Sequence, residues 1–245
     1  MLRDGDVSAG FWDYYGVDPG RPRANPQEKY ARDIQALLAN CAPAGRVLSV
    51  GCGYGLNEIL LSFLDDGVDV VIGVDILDDT NSDAKIRSMN GIVRRVGANR
   101  VRSLLADAGR LPFRSGSFDC VVAIDCLSHA DYTRSDLDLL ENQRVLLEEM
   151  ARVLQSGGLM SVVENNGMSP RNVMRKHGTT CHPVNPFYLR SVLEQLGFDG
   201  CRLVPYYDLA DREDVRARVA RGVIHRSDSL GLFIAPWFIL HGRSG

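Results

Sequence analysis

Short apolar segments alternate with helical segments along most of the chain, and this alternation constrains the fold more than any other feature. Seven segments are strand candidates, the first five being rich in buried-type residues: 46–50, 68–74, 101–105, 118–124, 159–163, 201–207 and 231–240. Six others are predicted helices: 27–40, 56–64, 83–96, 135–154, 187–196 and 212–221. Strands separated by helices need crossover connections, so the pattern predicts an α/β fold with a doubly wound, mostly parallel sheet.

Composition and charge exclude several classes of protein. The chain has 245 residues, which suits one α/β domain or two small ones. No apolar run reaches the roughly 18 to 20 residues of a membrane-spanning helix, so no membrane partner is expected. The net charge of −3 provides no broad basic surface for nucleic acid. The N-terminus lacks the apolar core of an export signal, so we expect a cytoplasmic protein with reduced cysteines.

The loop after the first predicted strand is the part of the sequence most informative about function. Its glycines, Gly51, Gly53 and Gly55, stand in the pattern GxGxG directly before a predicted helix. Glycines allow a sharp turn and a close approach to a ligand, and the N-terminus of the helix favours an anionic group. A dinucleotide motif needs GxGxxG, with a glycine where Leu56 stands, so the spacing disfavours a nicotinamide oxidoreductase.

Two carboxylates follow the second and third predicted strands. Asp75 closes the second strand, where an acidic side chain accepts hydrogen bonds from ribose hydroxyls. Asp107 follows the third strand and is placed to accept from an exocyclic amine such as that of adenine. The alternatives are that Asp75 caps the following loop and that Asp107 is a helix N-cap. Together with the glycine loop, the pair indicates a nucleoside-containing cofactor.

Five segments in order resemble the class I S-adenosylmethionine-dependent methyltransferases. They are VLSVGCGYG (47–55), VIGVD (71–75), LLADAGRLPF (104–113), SFDCVVAIDCLSHA (117–130) and LLEEMARVLQSGGLMSVVE (146–164), and they span about half of the chain. The resemblance implies a Rossmann-like, doubly wound seven-stranded sheet, mostly parallel with the last strand antiparallel. It also implies S-adenosyl-L-methionine as the cofactor.

The same resemblance assigns cofactor contacts to particular residues. The methionine end would lie on the glycine loop, the ribose on Asp75, the adenine beyond the second and third strands, and the amino-acid end at 125–127. The expected set is Gly51, Cys52, Gly53, Gly55, Asn57, Asp75, Ile76, Asp107, Ala108, Asp125 and Leu127. Cys52 is expected to be a small loop residue rather than a reactive thiol.

His129 is the candidate general base. Methyl transfer from a sulfonium is an in-line displacement with a neutral leaving group, so the protein mainly aligns the acceptor and excludes water. A base is needed when the acceptor arrives protonated. His129 follows the fourth strand, in the loop expected to face the methyl group, and histidine has a pKa of about 6.5 in water. The alternative is that His129 only shapes the pocket or packs against the N-terminal arm.

Acceptor choice is expected to lie in the variable segments. The aromatic arm, with Tyr14 and Tyr15, would close over the cofactor as a lid or pack on the sheet edge. Asn165 and Asn166 begin an insert and are candidate hydrogen-bond partners of the acceptor.

Two other clusters of side chains are given no site. His177, Cys181 and His182 are too few in a Gly/Thr/Pro loop to predict a metal site, so no metal is expected. The arginines of 212–226 are interpreted as a solvated helix face rather than an anion site.

These features predict one methyltransferase domain over 1–245. It comprises an arm and helix (1–40), a cofactor-binding core (46–164) and two substrate-side inserts (165–186 and 208–229). The expected activity is methyl transfer to an oxygen or nitrogen of a small polar metabolite, as in natural-product or sugar biosynthesis, by a monomer or homodimer. The alternatives are a non-catalytic S-adenosylmethionine-binding protein and a non-methyl transferase, such as an aminopropyl transferase, that uses a related cofactor.

Overall fold

All seven strand candidates contribute to a single sheet. The structure is a computed structural model and describes residues 34, 37, 40–53, 55–64, 67–76, 90–91, 93–94, 97–132, 138–169, 182, 184–206, 235 and 237–245. The strands are β1 Gly45–Val50, β2 Val68–Asp75, β3 Val101–Leu105, β4 Phe118–Ile124, β5 Leu154–Asn165, β6 Phe198–Tyr206 and β7 Trp237–Ser244. The helices are α1 Leu56–Leu64, α2 Leu139–Val153 and α3 Pro186–Gln195, and a 3-10 turn spans Leu127–Tyr132.

The strand order is β3-β2-β1-β4-β5-β7-β6. The pairs from β3 to β5 are parallel, whereas β7 runs antiparallel to both β5 and β6. Six strands therefore share one direction, which confirms the predicted doubly wound, mostly parallel sheet. The order reverses between β1 and β4, and in such sheets ligands bind beyond the carboxyl ends of the strands at this point.

Both faces of the sheet are covered, which explains why its strands are apolar without alternation. Val47 and Leu48 are neighbours in β1, are fully buried, and belong to two core clusters on opposite faces. The cluster around Leu48 includes α2 and α3, and the cluster around Val47 includes α1. Ile34 and Leu37, the buried positions described in the first predicted helix, join the second cluster.

Some predicted boundaries are wrong. Helix α2 begins at Leu139 rather than at 135, because the Asp138 side chain caps it by accepting from the Glu141 backbone N–H at 2.8 Å. It ends at Val153, and the Gly157-Gly158 pair that was expected to end it lies inside β5. Leu154 already pairs with Phe118 as part of β5, so the helix ends before the two glycines.

Strand β7 also differs from the prediction, because it extends to Ser244 instead of ending at 240. Its last residues are polar but pair with β5 and β6, so the sheet continues without an apolar signal. The arm with Tyr14 and Tyr15 and the insert 208–229 lie outside the described residues. Among the described helices, none has the length and apolarity needed to cross a bilayer.

Candidate active site

The carboxyl ends of the parallel strands bring the predicted site residues to one edge. Across the sheet from β3 to β5, Asp107, Asp75, Gly51, Asp125 and Asn165 follow or end successive strands. The residues that were expected to hold the adenine, ribose and methionine parts of the cofactor therefore lie in that spatial order. The same edge continues towards β5, where an acceptor would meet the methyl group.

The glycine loop adopts a backbone that other residues rarely take. Gly51, Gly53 and Gly55 have φ of 74°, 51° and 77°. The backbone N–H groups of Gly51 and Cys52 both donate to the carbonyl of Val74 at 2.9 Å, which ties the loop to the end of β2. A Cβ on Gly51 would lie 2.6 Å from Cys126 Sγ, so the loop packs directly against the segment after β4.

Asp75 lies beside the glycine loop. Its Oδ2 accepts from the Gly53 backbone N–H at 2.5 Å, and its Oδ1 accepts from the N–H of Ile76 at 2.8 Å. A carboxylate has about four acceptor positions, so two remain for ribose hydroxyls.

Asp107 serves a local turn as well as facing the edge. Its Oδ1 accepts from the Gly109 backbone N–H at 2.8 Å, and its carbonyl accepts from Arg110 at 3.0 Å. Its side chain therefore caps a turn, which is close to the N-cap alternative. The carboxylate retains further acceptor positions for an amine.

The glycine loop and α1 fit a cofactor that carries hydrogen-bond donors. Asn57 Oδ1, on the first turn of α1, is buried and has no hydrogen-bond partner among the described residues. No described atom lies within 4 Å of the position that a Cβ on Gly53 would take, so the loop leaves room there. An unpaired buried acceptor is costly unless a ligand or water donates to it. S-adenosyl-L-methionine provides such donors in its ammonium group and its ribose hydroxyls.

The segment after β4, Asp125 to His129, forms a tight turn that we call the β4 turn. Asp125 is the one non-glycine residue with positive φ in the described chain, at 55°. Its Oδ1 accepts from Asn165 Nδ2 at 2.8 Å, so these two predicted site residues are in contact. His129 is half-buried and sits at a break in the 3-10 turn, with φ −112° and ψ 18°.

Asn165 and Asn166 have different environments although they are neighbours. Asn166 is fully buried, its Nδ2 donates to the Ala235 carbonyl at 2.8 Å, and its Oδ1 accepts from the Met168 backbone N–H at 3.0 Å. These bonds make Asn166 a structural residue at the start of the insert. Asn165 is half-buried at the cofactor edge.

The described ends of the insert 165–186 return to the β4 turn. Val184 N–H donates to the Asn165 carbonyl, and His182 N–H donates to the Ser128 carbonyl, both at 2.9 Å. His177 and Cys181 are outside the part of the chain that the structure describes. Within that part, no group of three or more metal-ligating side chains occurs.

Two buried carboxyl groups near the site were not identified from the sequence. Glu164, at the end of β5, is 0% exposed and accepts hydrogen bonds from the backbone N–H groups of Cys126 and Leu127. Burial, with a smaller contribution from Asp125, raises its pKa to about 8. Glu58, in α1, accepts from the Ser49 hydroxyl, and burial raises its pKa to about 7. The one signal in the sequence is an acidic residue within an apolar segment.

These raised pKa values predict that stability falls as the pH rises. The folded protein retains protons on Glu58 and Glu164 that the unfolded chain loses above about pH 4.3, so their stabilising contribution disappears as the pH passes through 7 to 8. We expect the free energy of unfolding to fall by a few kcal/mol between pH 5 and 8. Urea unfolding at a series of pH values measures this, and Glu58→Gln should reduce the slope.

Glu149→Gln provides the control for that experiment. Its hydrogen bond with Arg152 holds the pKa of Glu149 below the usual range, so Glu149 does not titrate where Glu58 and Glu164 do. Its replacement should change the overall stability without changing the slope between pH 5 and 8. An unchanged slope in Glu58→Gln would contradict the prediction.

Comparison with known proteins finds methyltransferases. Residues 48–162 match the family model described as a methyltransferase domain. O-methyltransferase rstn1 of Aspergillus nomiae is 27% identical over 222 residues, covering 87% of this chain and 88% of the relative. O-methyltransferase resE of Aspergillus sclerotiorum is 29% identical over 163 residues, covering 65% of this chain and 55% of the relative.

A solved structure shows the same fold. The crystal structure of a SAM-dependent methyltransferase from Archaeoglobus fulgidus has a TM-score of 0.62 and 19% identity, covering 89% of this chain and 94% of that one. The doubly wound sheet, the glycine loop and the adjacent Asp75 form the arrangement with which such folds bind nucleoside cofactors at the switch point of the sheet. Residues 48–162 thus match a methyltransferase domain, and this match together with the geometry of the site supports S-adenosyl-L-methionine as the cofactor.

Proposed function

We propose that this enzyme transfers the methyl group to an oxygen of a small polar metabolite bound over the β4 turn. The observation that carries the proposal is the meeting of three parts at one place. Gly51 packs against Cys126, Asp125 contacts Asn165, and His182 at the end of the insert bonds to Ser128. The names of the relatives rstn1 and resE favour oxygen over nitrogen as the accepting atom.

The bound cofactor supplies an electrophilic methyl group on a sulfonium, and its sulfur leaves neutral. The chain's own residues then have two tasks. Asp75 and the glycine loop orient the donor at the ends of β1 and β2. His129 takes the proton of an acceptor hydroxyl, since an alcohol or phenol is a poor nucleophile while protonated. Its half-buried position leaves part of the ring exposed to an acceptor while limiting its contact with water.

The proposal also assigns a role to each segment of the chain. The core 46–164 and the site at its carboxyl edge bind the cofactor, and the segments 1–40, 165–186 and 208–229 complete the acceptor pocket within one domain.

The described cysteines Cys41, Cys52, Cys120, Cys126 and Cys201 are free thiols, which supports a reducing compartment such as the cytoplasm.

Two measurements test the proposal in sequence. Isothermal titration should show binding of S-adenosyl-L-methionine and of its demethylated product. Incubation with methyl-labelled cofactor and a panel of phenols, alcohols, sugars and amines should then label a hydroxyl-bearing compound, with the position assigned by NMR. A folded sample that binds neither cofactor form at millimolar concentration would refute the proposal. Labelling confined to amines would replace oxygen by nitrogen as the accepting atom.

A further inference from the structure

The β4 turn is held by residues that lie far from it in the sequence. Glu164 reaches it from β5, and Gln143 reaches it from α2. Both are almost fully buried, at 0% and 1% exposure. Polar side chains at this burial are retained where they satisfy other polar groups, so their contacts show what they stabilise.

One oxygen of Glu164 satisfies the start of the 3-10 turn. Its Oε1 accepts from the Cys126 backbone N–H at 2.6 Å and also from the N–H of Leu127. The first N–H groups of a helical turn have no partner within the turn, and Leu127 is itself fully buried. Glu164 therefore acts as a cap that comes from a neighbouring strand instead of from the preceding residue.

Gln143 makes a second buried hydrogen bond to the backbone of Leu127. Its Nε2 donates to the Leu127 carbonyl at 3.1 Å, so both polar groups of this backbone position are bonded to buried side chains. In the peptide unit that joins Cys126 to Leu127, the Cys126 carbonyl accepts from the His129 N–H at 2.9 Å. The place of His129 thus depends on the backbone that Glu164 and Gln143 hold.

We propose that Glu164 is a positioning residue for methyl transfer: by capping the β4 turn, it places His129 against the acceptor and Cys126 against the glycine loop. This inference rests on the proposed function, in which His129 takes the acceptor's proton. Transfer reactions depend steeply on alignment, and a displacement of about 1 Å lowers the rate by about 100-fold.

Three variants test the role of Glu164 in the full chain. Glu164→Met keeps the length of the side chain and removes the acceptor. We expect kcat to fall by about 10- to 100-fold, with a smaller change in the Kd for cofactor. Glu164→Gln keeps an acceptor oxygen and should retain kcat within about threefold of the wild type. Leu193→Ala in α3 is the control, because it removes buried apolar contacts and leaves the hydrogen bonds from Glu164 and Gln143 to the turn in place.

The kinetic outcomes decide between positioning and general stability. Assays are run at a temperature below the unfolding transitions of all variants. The proposal is supported if kcat falls in Glu164→Met but is retained in Glu164→Gln and in Leu193→Ala. Unchanged kcat in Glu164→Met, or an equal loss in folded Glu164→Gln, overturns it. If Glu164→Met does not fold, Gln143→Met replaces it: a drop in kcat of at least threefold supports the proposal, and no drop overturns it.

A readout without turnover separates this inference from the proposed function. Hydrogen exchange at the amides of Cys126 and Leu127, with the NMR shifts of the His129 ring protons, reports the turn directly. If wild-type protein transfers no methyl group, the proposed function fails. The role of Glu164 and Gln143 in fixing the turn is then still supported by the following result. Amide exchange stays slow and the ring shifts are unaltered in Glu164→Gln, whereas exchange is faster and the shifts are altered in Glu164→Met or Gln143→Met. Unaltered exchange and shifts in both Met variants overturn it.

Discussion

Gly51→Ala is expected to weaken cofactor binding by about 100-fold, measured as the Kd for S-adenosyl-L-methionine by isothermal titration. Gly51 has φ of 74°, where a side chain adds strain of about 1–3 kcal/mol. The new Cβ would lie 2.6 Å from Cys126 Sγ and 2.8 Å from Cys126 Cβ, and relief of such a clash costs about 1–3 kcal/mol. Both costs move the loop that we propose receives the methionine end of the cofactor.

Gly157→Ala is the matched control for Gly51→Ala. Gly157 has the same φ of 74°, but no described atom lies within 4 Å of its Cβ position. It lies near the amino end of β5, whereas the candidate site is at the carboxyl ends of the strands. It should lose stability without losing cofactor affinity. Adding Cys126→Gly to Gly51→Ala removes both clashing atoms and should restore part of the affinity. Wild-type affinity in Gly51→Ala would contradict the assignment of the loop.

The turn of the glycine loop could be predicted from the sequence because backbone geometry constrains residue type there. Only glycine takes the φ of the loop readily, so the turn appears in the sequence as GxGxG. Strands β1 and β2 follow each other in the chain and are adjacent in the sheet, so the loop after β1 and the end of β2 are neighbours, and Gly53 contacts Asp75.

The hydrogen bonds that Glu164 and Gln143 make to the β4 turn could not be predicted in the same way. Glu164 and Gln143 contact Leu127 from 37 and 16 residues away. A buried Glu that ends an apolar strand has no local pattern that indicates which backbone it will cap. Its partners depend on β4 and β5 being paired in register, which is a property of the assembled sheet.

The two neighbouring candidates for acceptor contacts, Asn165 and Asn166, could not be distinguished from the sequence. Successive side chains at the end of a strand point to opposite faces. Asn165 therefore contacts Asp125 at the site, and Asn166 bonds to Ala235 within the protein. Which of the two faces the ligand depends on the register of β5 with β4, and the sequence pattern alone left both open.

His129→Ala is expected to lower kcat by about 10²- to 10⁴-fold with an acceptor hydroxyl, because the reaction then lacks the group that removes its proton. The cofactor Kd should stay within about twofold, since the bond to Cys126 comes from the backbone N–H of residue 129 and survives the change. The loss should be greater with an alcohol than with a phenol, because an alcohol gives up its proton less readily. Steady-state rates at saturating cofactor measure both effects.

His241→Ala is the control for the removal of an imidazole. His241 is half-buried in β7, opposite Ser161 and four residues in from the cofactor edge, so its loss should leave kcat unchanged. Equal rates for wild type and His129→Ala across the pH range would assign His129 to shaping the pocket. In that case, alignment over the turn that Glu164 caps would account for the rate without a base, because the sulfonium already provides a good leaving group.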